Sequence, residues 1–503
     1  MQPDQLYGHF LSYFAYRPTP CQERLLKNVS EFILGDDSDI LVVNGYAGTG
    51  KTSAMAAVIS ALRNFRIPCI LLAPTGRAAK VLSGYAGGQA STIHKHIYRQ
   101  KSVSGDGFGQ FTLNINKAKD TLFIVDEVSL IGIESGGQQA SVFGSGNLLE
   151  DLVTFVRNGT GCKLVLVGDA AQLPPVGLDC SPALSRDYMM SVAGGVEFST
   201  LTTVVRQQQE SGILYNATLL RHMIERETDT GTGSGDVRGG RDDSPSGPVL
   251  RDFDDNSAGQ GGLKLRTAGF DDVERISGGE LIERLSDAYS EYGEDETIVL
   301  CRSNRRANKY NAGIRSAVQF KEDRLVRGDR LMIVKNCYKF VDKVEGMDYI
   351  ANGDMAKLVG ISGYEERYGL HFATARISFP DYGEQEIVAK VILDTLESES
   401  ASLTYEQQNM LYCGVSEDYS HITAKRKRYE AVREDLYFNA LQLKYADAIT
   451  GHKSQGGQWK CVFIDNPFWQ ENLVSDDLKW LYTAVTRAVE KVYFVNFNDR
   501  YFE

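Results

Sequence analysis

Apolar runs of strand length recur along the first half of the chain, and each is followed by helical or loop residues. DILVVN (39–44), IPCILLAP (67–74), TLFIVDE (121–127) and CKLVLVGD (162–169) are too continuous to be half-exposed strands. They predict a parallel α/β sheet, whose ligands sit beyond the carboxyl ends of the strands. Three of the four end in chemically loaded residues. Between about 225 and 262 the pattern collapses into Gly, Ser and Asp, which cannot bury enough surface to offset ordering, so 225–275 is expected to be a flexible acidic linker or insert. A second α/β pattern starts near TIVLCRSN (297–304). It is interrupted by DRLMIVKN, DMAKLVGI and LHFATARISF, which alternate as antiparallel strands do, and then resumes with YADAITGHKSQG, KCVFID and KVYFVN. The expected organisation is a first α/β domain over 1–224 and a second over 276–328 and 401–503, with a β-rich insertion at 329–400.

Composition changes this picture little. The 503 residues allow several folding units of ~100 to 200 residues each. The eight cysteines are scattered with no C-x-x-C pair, so they are expected to be reduced, small apolar residues. No apolar stretch approaches the ~20 residues that span a bilayer and the first residues lack a secretory pattern, so a cytoplasmic protein is expected. A net charge of −12 argues against a polyanion partner, but basic residues cluster at 301–315 and 421–433.

GYAGTGKT (45–52) supplies the chemistry. It fits G-x-x-x-x-G-K-[ST] and lies between an apolar strand and the helical pattern TSAMAAVISAL. Backbone amides of 46–50 would surround the phosphates of ATP, Lys51 would neutralise the β and γ oxygens, and Thr52 would ligate Mg2+. The cradle comprises Gly45, Ala47, Gly48, Thr49, Gly50, Lys51, Thr52 and Ser53. In FIVDEVS, Asp126 is the natural partner of Mg2+ on Thr52, and Glu127 can polarise the attacking water. Gln172 in GDAAQLPPVG can reach the γ-phosphate or that water, with Pro174 and Pro175 stiffening the loop. His94 and His96 have no third ligand to make a metal site.

These segments, with APTGRAAK (73–80), STIHKHIY (91–98), ITGHKSQG (449–456) and LYTAVTRA (481–488), occur in the order found in superfamily 1 helicases. The set resembles the RecD-like and phage Dda-like branch, superfamily 1B, which moves 5′ to 3′ on single-stranded DNA. The resemblance implies two RecA-like P-loop NTPase domains, a small pin insertion near 96–119 and an SH3-like module in the β-rich insertion. It implies that Gln22 reads adenine, that Gln455 and Gly456 face the nucleotide, and that Arg206 and Arg487 reach the γ-phosphate as arginine fingers. Thr75, His94, Thr450, His452, Lys453 and Ser454 are the implied DNA contacts. Tyr98, Phe108 and Phe111 are candidates to stack bases on or near the pin. Where the family often carries an acidic ribose contact, this chain has Gly457, Gln458 and Trp459, and the glycine-rich stretch 131–147 has no assigned role. The implied function is a monomeric ATP-driven motor acting on single-stranded DNA and its junctions with duplex. An RNA-directed helicase and a nucleotide-switched assembly ATPase are the alternatives.

Overall fold

The computed structural model describes the chain apart from residues 1, 15, 101–110, 134–143, 206–210, 232–261, 342–346, 348 and 469–472, and the side chains of 100, 111 and 228–231. The strands of the first lobe are β1 (Ile40–Gly45), β2 (Cys69–Ala73), β3 (Ala90–Thr92), β4 (Tyr98–Gln100), β5 (Phe111–Leu113), β6 (Leu122–Val125), β7 (Lys163–Gly168) and β8 (Val196–Leu201). Six of them form one sheet in the order β3-β2-β6-β7-β1-β8 with all pairings parallel. Its central strands are apolar on both sides because helices cover both faces. Leu41, Val43, Ile124 and Val165 pack on one side, and Val42, Phe123, Val125 and Leu166 on the other. The remaining two, β4 and β5, form a separate antiparallel pair through Tyr98↔Leu113 and Gln100↔Phe111, with 101–110 outside the described residues.

The second lobe contains β9 (Val273–Ile276), β10 (Thr297–Cys301), β11 (Arg330–Ile333), β12 (Met355–Arg367), β13 (Leu370–Phe379), β14 (Gln385–Ile392), β15 (Leu441–Tyr445), β16 (Ala448–Thr450), β17 (Trp459–Asp465) and β18 (Ala488–Val495). A parallel sheet runs β16-β10-β17-β18-β9, and β11 to β15 close into a barrel around Leu331, Ala375, Ile377, Val391 and Leu443.

Two boundaries differ from the sequence expectation. The barrel is not confined to 329–400, because its closing strand is Leu441–Tyr445, which pairs with both β11 and β14. Helices Tyr405–Asp418 and Lys425–Glu434 come between, and Leu411, Val415 and Val432 pack on Leu370, Phe372 and Ile392 of the barrel. The expected linker is also shorter than 225–275. Helix Gly212–Gly231 runs into it from one side, and Leu263, Leu265 and β9 belong to the second lobe on the other, with 232–261 outside the described residues.

The lobes share a core. Ala171 and Leu173 of the first lobe cluster with Ile213, Ala217, Leu220 and Ile224 of the Gly212–Gly231 helix and with Trp480, Leu481 and Val485 of the second lobe. The 213, 217, 220, 224 spacing lays one stripe of that helix against the Ser475–Val485 helix. This seam brings the carboxyl ends of β1, β6 and β7 against the second lobe.

Candidate nucleotide and strand sites

The phosphate loop turns sharply between β1 and the helix Lys51–Asn64. Gly48 and Gly50 have φ of 72° and 79°, a region that residues with a Cβ seldom enter. A Cβ on Gly50 would also stand 2.3 Å from Gln22 Nε2. Gly50 caps the helix without a side-chain hydrogen bond, which leaves the first-turn amides, including those of Thr52 and Ser53, facing outward as an anion cradle. Lys51 Nζ donates to the carbonyls of Gly45 and, at 3.1 Å, Tyr46, and lies 3.6 Å from Asp169. Thr49 is fully buried and donates its hydroxyl hydrogen to the Tyr46 carbonyl.

Gln22, 2% exposed, stands beside this loop on helix Pro20–Leu34. Its amide donates to the Thr49 carbonyl at 2.8 Å, and its oxygen accepts from the Thr19 amide at 2.8 Å. The two ends of the side chain are therefore fixed, in contact with the cradle.

Asp126 and Glu127 follow β6. One Asp126 oxygen receives the Tyr85 hydroxyl hydrogen and the other the Glu127 amide at 2.9 Å. Glu127 takes the left-handed conformation at φ 56°, a strained geometry for a residue with a Cβ. Burial holds its carboxyl above the ordinary carboxylate range; the positive charges of Arg487 and Lys51 pull it back, and Asp126 and Asp169 push it further up. Thr52 is exposed and Asp126 half-buried, and both offer oxygen donors of the kind Mg2+ prefers. Among the described residues no group of three or more His, Cys, Asp or Glu could hold a metal, so a cation here would take further ligands from phosphate and water.

Across the seam, Arg487 is 3% exposed and donates to the carbonyls of Thr483 (3.1 Å) and Gly457 (3.3 Å) and to the Thr486 hydroxyl (3.2 Å). Its charge is felt by Glu127 of the first lobe. Four hydrogen bonds cross between the lobes nearby. Tyr482 Oη donates to Asp169 Oδ2 at 2.7 Å and accepts from the phosphate-loop amide of Ala47 at 2.8 Å. Thr483 Oγ1 accepts from the Leu173 amide at 2.8 Å. Gln455 Nε2 donates to the Leu173 carbonyl at 2.6 Å. Gln172 is 6% exposed, and its Oε1 has no hydrogen-bond partner among the described residues, as suits a group kept for a ligand. Arg206, the other expected arginine finger, lies outside the described residues. Tyr482 and Asp169 both fall within motifs read from the sequence, but only the fold shows that they meet.

The expected strand contacts divide into two groups. Thr75 caps helix Gly76–Ala86 by accepting from Ala78 N at 3.2 Å, and a Cβ on Gly456 would lie 3.3 Å from its hydroxyl. Gly456 therefore faces this side of the seam. Thr450, His452 and Lys453 border a groove of about 490 Å3 together with Arg302, Ser303 and Asn304. Lys453 Nζ reaches Asn352 Oδ1 in the segment before β12, and burial lowers its pKa. His94 is half-buried, its pKa lowered to about 4 by burial, so it is neutral at physiological pH.

Two expectations fail. Ser454 is 0% exposed and spends its hydroxyl on the Gly451 carbonyl at 2.7 Å, so it faces inward. Tyr98 is 7% exposed, belongs to the core of the first lobe and donates to Asp151 at 2.7 Å, which removes its ring from the surface. Phe108 and the side chain of Phe111 lie outside the described residues, as does 134–143 of the glycine-rich stretch.

Comparisons with known proteins follow the same division. An AAA domain model matches residues 22–242, and a UvrD-like helicase C-terminal domain model matches 445–495. The ATP-dependent RecD2 DNA helicase of Deinococcus radiodurans is 31% identical over 184 residues, 36% of this chain and 22% of that protein. This chain thus spans under a quarter of that relative. The ATP-dependent DNA helicase dda of Enterobacteria phage T4 is 22% identical over 484 residues, covering 90% of this chain and 94% of that one. Among solved structures, Bacteroides Pif1 helicase in complex with ADP-AlF3 and ssDNA covers 97% of this chain and 95% of that one, at 15% identity and a TM-score of 0.44. An AAA model on the first lobe, a helicase C-terminal model on the second and the similarity to RecD2 and dda support a superfamily 1B helicase of the RecD-like and Dda-like kind.

Proposed function

We propose that this protein is an ATP-dependent DNA helicase that moves 5′ to 3′ along single-stranded DNA and unwinds duplex ahead of it. The observation that carries the reading is the composite pocket: the phosphate loop and Glu127 come from one lobe, and the buried Arg487 whose charge Glu127 feels comes from the other. Such a pocket is complete only when the lobes are closed, so triphosphate and closure favour each other.

In this reading the loop amides and Lys51 bind the triphosphate, and Gln22 lies where the base would be read. Glu127 accepts a proton from the attacking water, and Gln172 orients that water. Arg487, with Arg206, steadies the charge that develops on the transferred phosphoryl group. Thr52 and Asp126 would hold Mg2+, which when bound neutralises phosphate charge. Thr75 on one lobe and Thr450, His452 and Lys453 on the other grip the strand through its backbone, which gives hold without sequence preference. Alternate tightening of these grips through the ATP cycle advances the protein. DNA as the polymer is supported by the names of the RecD2 and dda relatives.

Polarity and polymer are tested together by unwinding duplexes that carry a single-stranded tail at either end, in matched DNA and RNA versions. The proposal expects ATP-dependent unwinding of the 5′-tailed DNA substrate. Preference for the 3′ tail refutes the direction, preference for RNA refutes the polymer, and no unwinding of any substrate refutes the motor.

A further inference from the structure

Helix Gly76–Ala86 carries Thr75 at its N-terminus and Arg77 in its first turn. The Arg77 guanidinium lies 4.2 Å from the centre of the Trp459 ring, and its Nη2 donates to the Gln458 carbonyl at 3.1 Å. Trp459 is the first residue of β17 and is 1% exposed. Its own amide donates to the Arg487 carbonyl at 3.0 Å, while the Arg487 guanidinium donates to the Gly457 carbonyl at 3.3 Å. The arginine whose charge Glu127 feels is thus held through residues 457–459 to an arginine two residues from a proposed strand contact.

This contact is built to close tolerances. A Cβ on Gly457 would lie 2.6 Å from both Arg77 Nε and the Trp459 ring, so the bracket requires glycine there. It is also suited to opening. Arg77 Nε and the Trp459 indole nitrogen are buried with no acceptor among the described residues, and withdrawing Arg77 from the second lobe returns its donor to water. A cation over an indole face holds best when desolvated, so the pair favours the closed arrangement without locking it.

We propose that Arg77 and Trp459 are positioning residues that couple closure at the nucleotide pocket to the grip on the strand. The inference rests on the helicase reading and assigns the path by which strand binding accelerates ATP turnover. Neither residue touches the triphosphate or the strand in this scheme. Removing either one leaves each ligand bound but breaks the communication between them.

The test measures ATP turnover without and with a single-stranded oligodeoxynucleotide, strand affinity by fluorescence anisotropy, and thermal unfolding, for the wild type, Arg77→Ala, Trp459→Ala, Trp459→Phe and the double alanine variant. Basal turnover and strand affinity are expected to stay within about twofold of wild type, while strand-stimulated kcat falls about tenfold in each alanine variant. Trp459→Phe, which keeps a ring face, should restore most of the stimulation. The double variant should be no worse than either single one, as for two residues acting through one contact. Arg77→Ala removes only a half-buried side chain, so it decides the matter if Trp459→Ala fails to fold. Wild-type stimulation retained in Arg77→Ala overturns the coupling role alone, and so does a parallel fall in basal and stimulated turnover. Wild-type turnover that ignores the strand overturns the helicase reading and this inference with it.

Discussion

The Tyr482 hydroxyl of the second lobe donates to the Asp169 carboxylate of the first at 2.7 Å, and both side chains are 1% exposed. A hydrogen bond to a buried charge is among the stronger that proteins make, and this one joins the two halves of the proposed nucleotide pocket. Tyr482→Phe keeps the ring packing and removes the donor. It is expected to cost about 2 kcal/mol, read as a lower denaturant midpoint with no change in slope. An unchanged midpoint would mean that the lobes do not depend on this bond.

Glu127 leads to a prediction about pH. Burial raises its carboxyl above the ordinary range, and the proposed base is active only when ionised. Turnover should therefore decline as pH falls, beginning at a higher pH than an exposed glutamate would give. Glu127→Gln should lower kcat by about a thousandfold and leave nucleotide binding intact. An acid limb at the ordinary glutamate value, or near-normal turnover in the glutamine variant, would remove Glu127 from the base role.

Arg487 offers a sharper substitution than alanine, which would leave the carbonyls of Thr483 and Gly457 without their buried donor. Lysine keeps the charge but not the planar fork that reaches several acceptors at once. Arg487→Lys is expected to stay folded, bind nucleotide and lose about a hundredfold or more in kcat, toward the range seen for arginine fingers. Turnover within a few-fold of wild type would show that position 487 supplies charge alone.

Asp354 makes an independent claim about stability. It is 2% exposed beside Gly76 and accepts from the Tyr382 hydroxyl at 3.2 Å; burial raises its pKa from 3.8 to about 7. Because the folded value lies above the unfolded one, its contribution is full below about pH 4 and is lost as pH rises through 7. The loss is on the order of 4 kcal/mol. Asp354→Asn cannot ionise and keeps an acceptor for Tyr382. Its Tm should therefore gain on wild type between pH 5 and pH 8, and parallel Tm profiles would contradict the assignment.

The parts of this protein written in local pattern could be read from the sequence. The phosphate loop, the acidic pair after β6 and the parallel strands each follow from a run of neighbours, and the two parallel sheets are where those runs placed them. What needed the fold was the direction of single side chains and the choice of distant partners. A hydroxyl at Ser454 can serve a phosphate or its own helix, and only its complete burial decides for the helix. Tyr98 could have been a stacking platform, but its ring lies in the core and its hydroxyl reaches Asp151. The barrel's closing strand follows two helices in the chain, so no short window could assign Leu441–Tyr445 to it. Contacts such as Tyr482 to Asp169 and Arg77 to Trp459 join residues more than 300 positions apart in the chain, which periodicity cannot reveal.

The most direct test of the account is the rate of ATP turnover by the wild-type protein with and without a single-stranded DNA oligonucleotide. If closure of Arg487 onto the phosphate-loop pocket is driven jointly by nucleotide and strand, turnover should rise at least about tenfold on adding the strand. Equal rates under both conditions would contradict it.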